Sequence, residues 1–250
     1  MDRLRMEWIA RAHTKEMERR FGTQILESVQ NTTEYYRPFS FVRDERYKTE
    51  IKLVDADSVT AIERFHDGRT AVLNFASYKN PGGGFMSGMM AQEESLCHYS
   101  FLYNVLKEWG DYYWYNKSNL NGGFYTDRAL YSPDIVFIPA SGEEIECDVI
   151  TCAAPNATRM IRYKTGEEEK NSNALRSRIK YVLSIAADKR VDTLILGAYG
   201  CGVFKQNPVE VATYFKEFLK EYDGLFKTVI FAIPNATGEN YKAFERVLLQ

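Results

Sequence analysis

The sequence has few of the residues that build metal centres and disulfide frameworks. Its 250 residues include only 4 cysteines and 3 histidines. The cysteines form no CxxC pair and the histidines are scattered, so the pattern indicates no zinc site. We therefore expect reduced, buried thiols, no metal ion and no other cofactor. The cysteines are Cys97, Cys147, Cys152 and Cys201.

The sequence also lacks a charge excess and long apolar runs. Lys and Arg number 32 against 34 Asp and Glu, which leaves a net charge of −2. Proteins that bind the nucleic-acid backbone are usually basic, so we expect no direct nucleic-acid binding and only a local anion site. No run approaches membrane-spanning length, and the charged first residues lack the apolar segment of a signal peptide. The sequence predicts a cytoplasmic protein without membrane contact.

Short apolar runs alternate with helical patterns from Ile51 onward. This alternation favours an α/β domain with a mixed, largely parallel central sheet flanked by helices. The segment SLCHYSFLYNVLKEW has helical spacing and predicts one helix, whereas the tyrosine-rich tract at 112–125 suggests an irregular excursion. The predicted strands are TAVLNFA, IVFIPA, DVITCAA, TLILGAYG and KTVIFAI.

The first fifty residues differ in character from the rest. Residues 2 to about 20 form a highly charged helical pattern, and the tract up to about Lys52 has weak periodicity. We expect residues 1–50 to be an N-terminal helical extension packed on a core domain of residues 51–250.

Two loops share one arrangement, in which glycines follow an apolar strand. They are TAVLNFASYKNPGGGF and DTLILGAYGCGVFKQNP. In parallel sheets such loops leave from the carboxyl edge, where bare backbone amides bind anionic ligands. Glycine leaves room for a phosphate and permits positive φ. A tight turn explains each loop equally well, since neither carries a dinucleotide-binding or P-loop motif.

Gln92, Glu93 and Glu94 follow the first glycine loop at the start of a predicted helix. Acids there are favoured by the helix dipole, so an acidic helix cap is one interpretation. The linking segment FMSGMMA is unusually apolar for a solvated loop, which suggests that it folds over a ligand. Two adjacent carboxylates in different surroundings can divide the work of acid and base.

The combination GGG, seven residues and QEE resembles the signature of poly(ADP-ribose) glycohydrolases. The wider context LNFASYKNPGGGF, AQEESLCHYSFLY, AAPN and LGAYGCGVF is similar to the microbial-type branch, from about Ile51 to the C-terminus. The resemblance implies a macrodomain-like core, residues 51–250 as the catalytic domain, and hydrolysis of the ribose–ribose O-glycosidic bond. It also implies ADP-ribose, or poly(ADP-ribose) on modified proteins, as the partner. The family's extra tyrosine clamp in animal enzymes has no obvious counterpart, which suggests release of ADP-ribose from chain ends.

The resemblance assigns roles to individual positions. Glu94, the second glutamate of QEE, is the expected catalytic acid, and Glu93 is expected to bind and align the sugar hydroxyls. Gln92 belongs to the same motif and is a further expected substrate ligand. The glycine loops are expected to hold the phosphates and distal ribose through Gly82, Gly83, Gly84, Gly200, Cys201, Gly202 and Val203.

Three further assignments have an equal structural alternative. Phe204 is expected to pack on the distal ribose, or to be a core residue that opens the next helix. Asp57 would bind the adenine amino group, or cap the helix SVTAIERF. Asn80 would bind the distal ribose, or only form the turn before Pro81.

Other functions on the same scaffold remain open at this point. A non-catalytic reader of ADP-ribose would use the same pocket, but binding alone does not require a proton donor. A mono-ADP-ribosyl hydrolase would keep both glutamates and differ in its acceptor.

Overall fold

The computed structural model describes residues 3–249, and within them helices cover both faces of one sheet. The strands are β1 (Thr33–Tyr35), β2 (Glu50–Val54), β3 (Thr70–Phe75), β4 (Ala129–Phe137), β5 (Ile145–Cys152), β6 (Thr193–Leu196) and β7 (Thr228–Ala232). The helices are α1 (Arg3–Asn31), α2 (Ser58–Phe65), α3 (Gln92–His98), α4 (Leu102–Leu106), α5 (Gly110–Ser118), α6 (Thr158–Tyr163), α7 (Glu168–Asp188), α8 (Pro208–Glu221) and α9 (Glu239–Leu248).

The strand order β1-β4-β5-β3-β6-β7-β2 makes the sheet mixed and largely parallel, as predicted. The five strands from β5 to β2 run parallel to one another, and β4 pairs antiparallel with both β1 and β5. Because β3 and β6 are neighbours, the two glycine-containing loops leave the same edge of the sheet side by side.

The sheet is buried on both sides because successive strand residues point to opposite faces. In β3, Ala71 and Leu73 pack into one core with α7 and α8, whereas Val72 packs into a second core with α1 to α4. This double burial explains why TAVLNFA is a continuous apolar run. It also fixes the ends of β3 and β6, from which the site is built.

The helix predicted from SLCHYSFLYNVLKEW is wrong as a single element. It divides into α3 and α4, because Ser100 leaves the helix and forms an isolated bridge with Phe137. The tyrosine-rich tract is also not irregular throughout, since α5 forms its first part. Tyr112 and Tyr113 of α5 are buried against the core, which stabilises that helix.

The N-terminal region is longer in helix than predicted and also contributes a strand. Helix α1 continues to Asn31, with one non-helical residue at Phe21 (φ −123°, ψ 24°), and β1 adds an edge to the sheet. The His13 ring lies 2.9 Å from the Ser100 carbonyl, and Arg3 Nε donates to the Ser87 carbonyl at 3.0 Å. Helix α1 thus packs beneath the first glycine-containing loop, while the domain division at residue 50 stays a prediction.

The cysteines are all free thiols. Three are buried, while Cys201 is partly exposed. Among residues 3–249, no helix is long and apolar enough to span a membrane.

Candidate active site

The two glycine-containing loops and the start of α3 enclose a cavity of about 530 Å³. We call it the acid cavity. Most of the site residues predicted from the sequence lie on its wall, although they are up to 124 positions apart in the chain (80 to 204). The predicted residues that line it are Asn80, Gly83, Gly84, Gln92, Glu93, Glu94, Gly200, Gly202, Val203 and Phe204.

Glu93 is held at the floor of this cavity by groups from the end of β3. Its Oε2 accepts a hydrogen bond from the Ser77 amide at 2.7 Å, and its Oε1 accepts one from Asn74 Nδ2 at 3.3 Å. The side chain is only 4% exposed. Burial raises the pKa of Glu93 to about 8, against the opposing effect of these hydrogen bonds and with help from the charge of Glu94. Glu93 therefore retains its proton at neutral pH in the free protein.

Glu94 is held by the loop and not by the sheet. Its Oε1 accepts from the Gly84 amide at 2.7 Å, and its Oε2 accepts from the Ala91 amide at 2.9 Å. Ala91 precedes α3, so Glu94 occupies the third helical position and caps the helix start with its own side chain. The same carboxylate therefore joins the beginning and the end of loop 84–91.

Gly83 is the position at which both acids meet. Its φ is +60°, and a Cβ atom there would lie 2.6 Å from Glu94 Oε1 and 2.7 Å from Glu93 Oε2. Any side chain would displace both carboxylates, because real Cβ atoms do not approach oxygen so closely. The bare backbone at this position therefore makes room for the two acids.

Gln92 lines the cavity, but both ends of its amide group already form hydrogen bonds within the protein. Its Oε1 accepts from the Phe75 amide at 2.8 Å, and its Nε2 donates to Ser58 Oγ at 3.0 Å and to the Leu73 carbonyl at 2.9 Å. These bonds fasten α3 to the end of β3 and to α2. They set the position of the two glutamates that follow, and a contact between Gln92 and substrate stays a prediction.

The two loops differ in whether their backbone amides already have hydrogen-bond acceptors. The amides of Gly202, Val203 and Phe204 donate to no acceptor within residues 3–249. The amides of Gly83 and Gly84, in contrast, donate to the Asn80 carbonyl and to Glu94. Successive unpaired backbone N–H groups form a concave anion site. Among residues 3–249, no Lys or Arg lines the acid cavity, so an anion there depends on such amides.

Three of the predicted residues lie behind or beside the acid cavity. Gly82 is buried against Tyr103 and Cys97, and the Cys201 side chain packs on the core below the second loop. Asp57 lines an adjoining depression of about 420 Å³ and caps α2, where it accepts from the Thr60 amide at 2.9 Å. The capping interpretation of Asp57 is thus realised in this conformation, and its contact with adenine stays a prediction.

Asn80 and Phe204 lie on opposite sides of the acid cavity. Asn80 is exposed at the turn that precedes the triple glycine. Phe204 ends the second loop four residues before α8 begins, so it does not open that helix. Its ring packs edge-on against Tyr125 at 6.0 Å.

Sequence reasoning missed Asn74, Ser77 and Met89. Asn74 is fully buried beside Glu93, and its Oδ1 has no hydrogen-bond partner in residues 3–249. A polar residue inside the apolar run TAVLNFA was the available signal. Met89 lies over Gly84, where a Cβ would approach it within 2.4 Å. The apolar character of the loop therefore serves, in part, to cover its own glycine.

The comparisons with known proteins agree with this geometry. The family model for the microbial-type poly(ADP-ribose) glycohydrolase (PARG) catalytic domain matches residues 9–140. A search of curated protein sequences found no match.

Solved bacterial structures are similar over nearly the whole chain. The PARG from Deinococcus radiodurans in complex with ADP-ribose is 31% identical, with 91% of this chain and 98% of that chain covered and a TM-score of 0.81. The PARG from Thermomonospora curvata is 28% identical, with 98% and 99% covered and a TM-score of 0.85. Its complex with the inhibitor ADP-HPD has a TM-score of 0.83 at the same identity and coverage. The chain therefore belongs to the microbial-type PARG family.

Proposed function

We propose that this protein hydrolyses the ribose–ribose O-glycosidic bonds of poly(ADP-ribose) and releases ADP-ribose. The observation that carries the proposal is the meeting of the Glu93 and Glu94 carboxylates at Gly83, on the wall of one cavity. Two carboxyl groups beside one sugar site are what glycoside hydrolysis uses. The related structures with ADP-ribose and ADP-HPD support a ligand of this class.

The arrangement of the cleft suggests an orientation for the substrate. The depression beside Asp57 adjoins the acid cavity through Phe75, Ala91 and Gln92 and would take the adenosine. The unpaired amides of residues 202–204 would hold the diphosphate, since no cation lines the acid cavity. The distal ribose would then lie over Gly83, with its C1″ atom toward the glutamates.

Glu94 is the proposed catalytic acid. It donates its proton to the departing ribose oxygen while the bond from that oxygen to C1″ breaks and C1″ becomes oxocarbenium-like. A water molecule then forms the new bond to C1″ and returns a proton to the Glu94 carboxylate. Both acid groups are regenerated, and no cofactor enters the reaction.

Glu93 is the proposed ligand of the ribose hydroxyls. With a pKa of about 8 it is protonated at neutral pH, so it can donate a hydrogen bond to a hydroxyl oxygen. The same proton makes Glu93 a competing candidate for the acid. Asn80 and Phe204, on the two sides of the cavity, are the proposed ribose contacts.

The remaining details of the activity belong to the same proposal. We expect cleavage from chain ends, polymer attached to modified proteins as the natural substrate, and no direct contact with nucleic acid. A cytoplasmic location also stays an expectation from the sequence.

The test is chromatographic. Wild-type protein is incubated with automodified polymer, and the soluble products are separated. We expect free ADP-ribose to accumulate, and Glu94→Gln to release it at least a hundredfold more slowly, with Glu93→Gln measured in parallel. Binding of ADP-ribose without any release would favour the reader function. Release from singly modified protein, but not from polymer, would favour a mono-ADP-ribosyl hydrolase.

A further inference from the structure

A second cavity of about 530 Å³ lies on the β1 side of the molecule, outside the acid cavity. Its walls come from the segment after β1, from α5, from the residues before β4, and from α7. We call it the basic–aromatic cavity and define it by Tyr36, Arg37, Tyr115, Arg128, Lys180 and Tyr181. Its volume is in the range of small-ligand sites.

The charge of this cavity is opposite to that of the acid cavity. Within residues 3–249 the lining holds three cations and one carboxylate, Asp127, which already pairs with the buried Arg178 at 2.7 Å. Of the three cations, Lys180 pairs with Glu221 at 3.3 Å, outside the lining. Arg37 lies over the Tyr36 ring and pairs with no carboxylate within residues 3–249. The lining therefore carries more cations than carboxylates, and Arg37 is the cation that no carboxylate neutralises, although the whole chain has a net charge of −2.

Arg128 has unused hydrogen-bonding capacity at the cavity wall. It forms an ion pair with Glu34, and its side chain is only 11% exposed. Its Nε, shielded from solvent, has no acceptor in the described part of the chain. Buried donors without acceptors are rare in folded proteins, and a bound ligand or water is one explanation of such groups.

Aromatic rings in the same cavity present accessible faces. Tyr36 is 53% exposed and Tyr115 is 38% exposed. The Arg128 guanidinium lies 3.8 Å from the centre of the Tyr115 ring, and the Arg37 guanidinium lies 4.9 Å from that of Tyr36. Aromatic and guanidinium planes stack with nucleobases, while cations attract phosphates. The chemistry fits an adenine nucleotide.

A succession of three aromatic side chains connects the walls of the two cavities. Phe204 lines the acid cavity and contacts Tyr125, which stacks on Tyr78 at 4.0 Å. The Tyr78 hydroxyl bonds to Thr126 Oγ1 at 2.8 Å, and Thr126 lines the basic–aromatic cavity. Phe204 does not line the depression beside Asp57. The second cavity therefore adjoins the end of the cleft where the glutamates lie.

We propose that the basic–aromatic cavity binds an ADP-ribose unit that lies beyond the one joined to the scissile bond, in the polymer that remains after the cut. The proposal rests on the proposed function, in which the terminal unit fills the cleft and the rest of the chain leaves at the glutamate end. A second contact raises the effective concentration of the chain end at the acid cavity. The cavity thus favours long polymer over short oligomers.

The test uses purified oligomers of two and eight ADP-ribose units. The variant Arg37→Ala/Lys180→Ala removes two cations from the cavity rim, where neither residue belongs to the core. The control Lys52→Ala/Arg64→Ala removes the same charge from β2, the opposite edge strand of the sheet, and from α2. For wild type and for the control, we expect a kcat/KM about tenfold higher with the eight-unit oligomer than with the two-unit oligomer. The cavity variant should lose this preference through a higher KM for the eight-unit oligomer. Its rate on the two-unit oligomer should stay unchanged.

Binding is measured in parallel in the Glu94→Gln background, where the oligomers stay intact. We expect the cavity substitutions to weaken binding of the eight-unit oligomer about tenfold and that of the two-unit oligomer less than twofold. A length preference that is absent in wild type, survives in the cavity variant, or falls equally in the control would overturn the proposal. If wild type releases no ADP-ribose at all, the proposed function fails, and the binding comparison alone decides on the second cavity.

Discussion

The two glycine-containing loops leave neighbouring strands and look alike in sequence, yet they differ in what their glycines accommodate. At Gly83 the missing side chain leaves space for two carboxylate oxygens of the protein itself. At Gly202 an added Cβ would meet nothing within 4 Å. The first loop is thus closed around its own acids, and the second is open toward the cleft.

The hydrogen bonding of the backbone amides differs between the two loops in the same way. Those of Gly83 and Gly84 are used within the first loop, whereas those of residues 202–204 have no acceptor in the described chain. We infer that the first loop positions the acids and the second binds the diphosphate. A glycine-rich loop after a strand therefore does not by itself indicate a phosphate site.

The largest expected effect comes from Glu94→Gln. Loss of a positioned acid typically lowers the rate ~10²–10⁴-fold. The amide keeps the shape of the side chain, so we expect the affinity for ADP-ribose to stay within a few-fold. The measurement pairs single-turnover release of ADP-ribose with calorimetric binding. Turnover close to that of wild type would move the acid role to Glu93.

Gly83→Ala should damage the acids without removing either. The new Cβ displaces both carboxylates, and positive φ is strained for alanine, at a cost of ~1–3 kcal/mol. We expect lower activity together with a lower unfolding midpoint in urea. Gly202→Ala is the matched control and should change stability by less than about 0.5 kcal/mol. Equal effects of the two substitutions would contradict the inference that only the first loop is closed around the carboxylates.

Gly202→Val should separate binding from stability. The larger side chain points into open space at the second loop, where the diphosphate is proposed to lie. We expect at least tenfold weaker binding of ADP-ribose, measured by calorimetry, with an unchanged unfolding midpoint. Normal affinity in this variant would contradict the assignment of the diphosphate to residues 202–204.

The stability of the protein should also depend on pH. Glu93 has a pKa of about 8 in the folded protein against an ordinary value of 4.5. Between these values the folded state holds a proton that the unfolded state has lost, so stability decreases as pH rises from about 4.5 to about 8. A tenfold difference in proton affinity is worth about 1.4 kcal/mol.

Glu93→Gln removes this contribution, so its unfolding free energy should change less between pH 5 and pH 8.5 than that of wild type. Urea unfolding at the two pH values measures both proteins. The same loss of stability in the variant would show that Glu93 does not carry the raised pKa.

The sequence predicted the sheet because strand burial and glycine loops leave strong local patterns. TAVLNFA was recognisable as β3, and the neighbouring exits of β3 and β6 followed from a parallel sheet. The break between α3 and α4 was not recognisable, because Ser100 leaves the helix to pair with Phe137, a partner 37 positions away in the chain. Local periodicity carries no information about such a contact.

The sequence predicted which residues lie together, whereas their roles in binding and catalysis stay predictions. Spacing and resemblance brought Glu93, Glu94 and Gly83 to one place, and the cavity contains all three. Tertiary hydrogen bonds decide two details that the sequence does not show. Gln92 links α3 to β3 and α2, and Glu94 closes the first loop. The basic–aromatic cavity assembles four separate segments and left no motif in the sequence.

The most direct test of the division between the loops is a crystal structure of the Glu94→Gln variant with ADP-ribose. The account predicts diphosphate oxygens about 2.7–3.2 Å from the amides of residues 202–204, with C1″ facing the side chain of residue 94. A diphosphate bonded instead to the amides of Gly83 and Gly84, with the side chains of residues 93 and 94 turned away from the sugar, would contradict it.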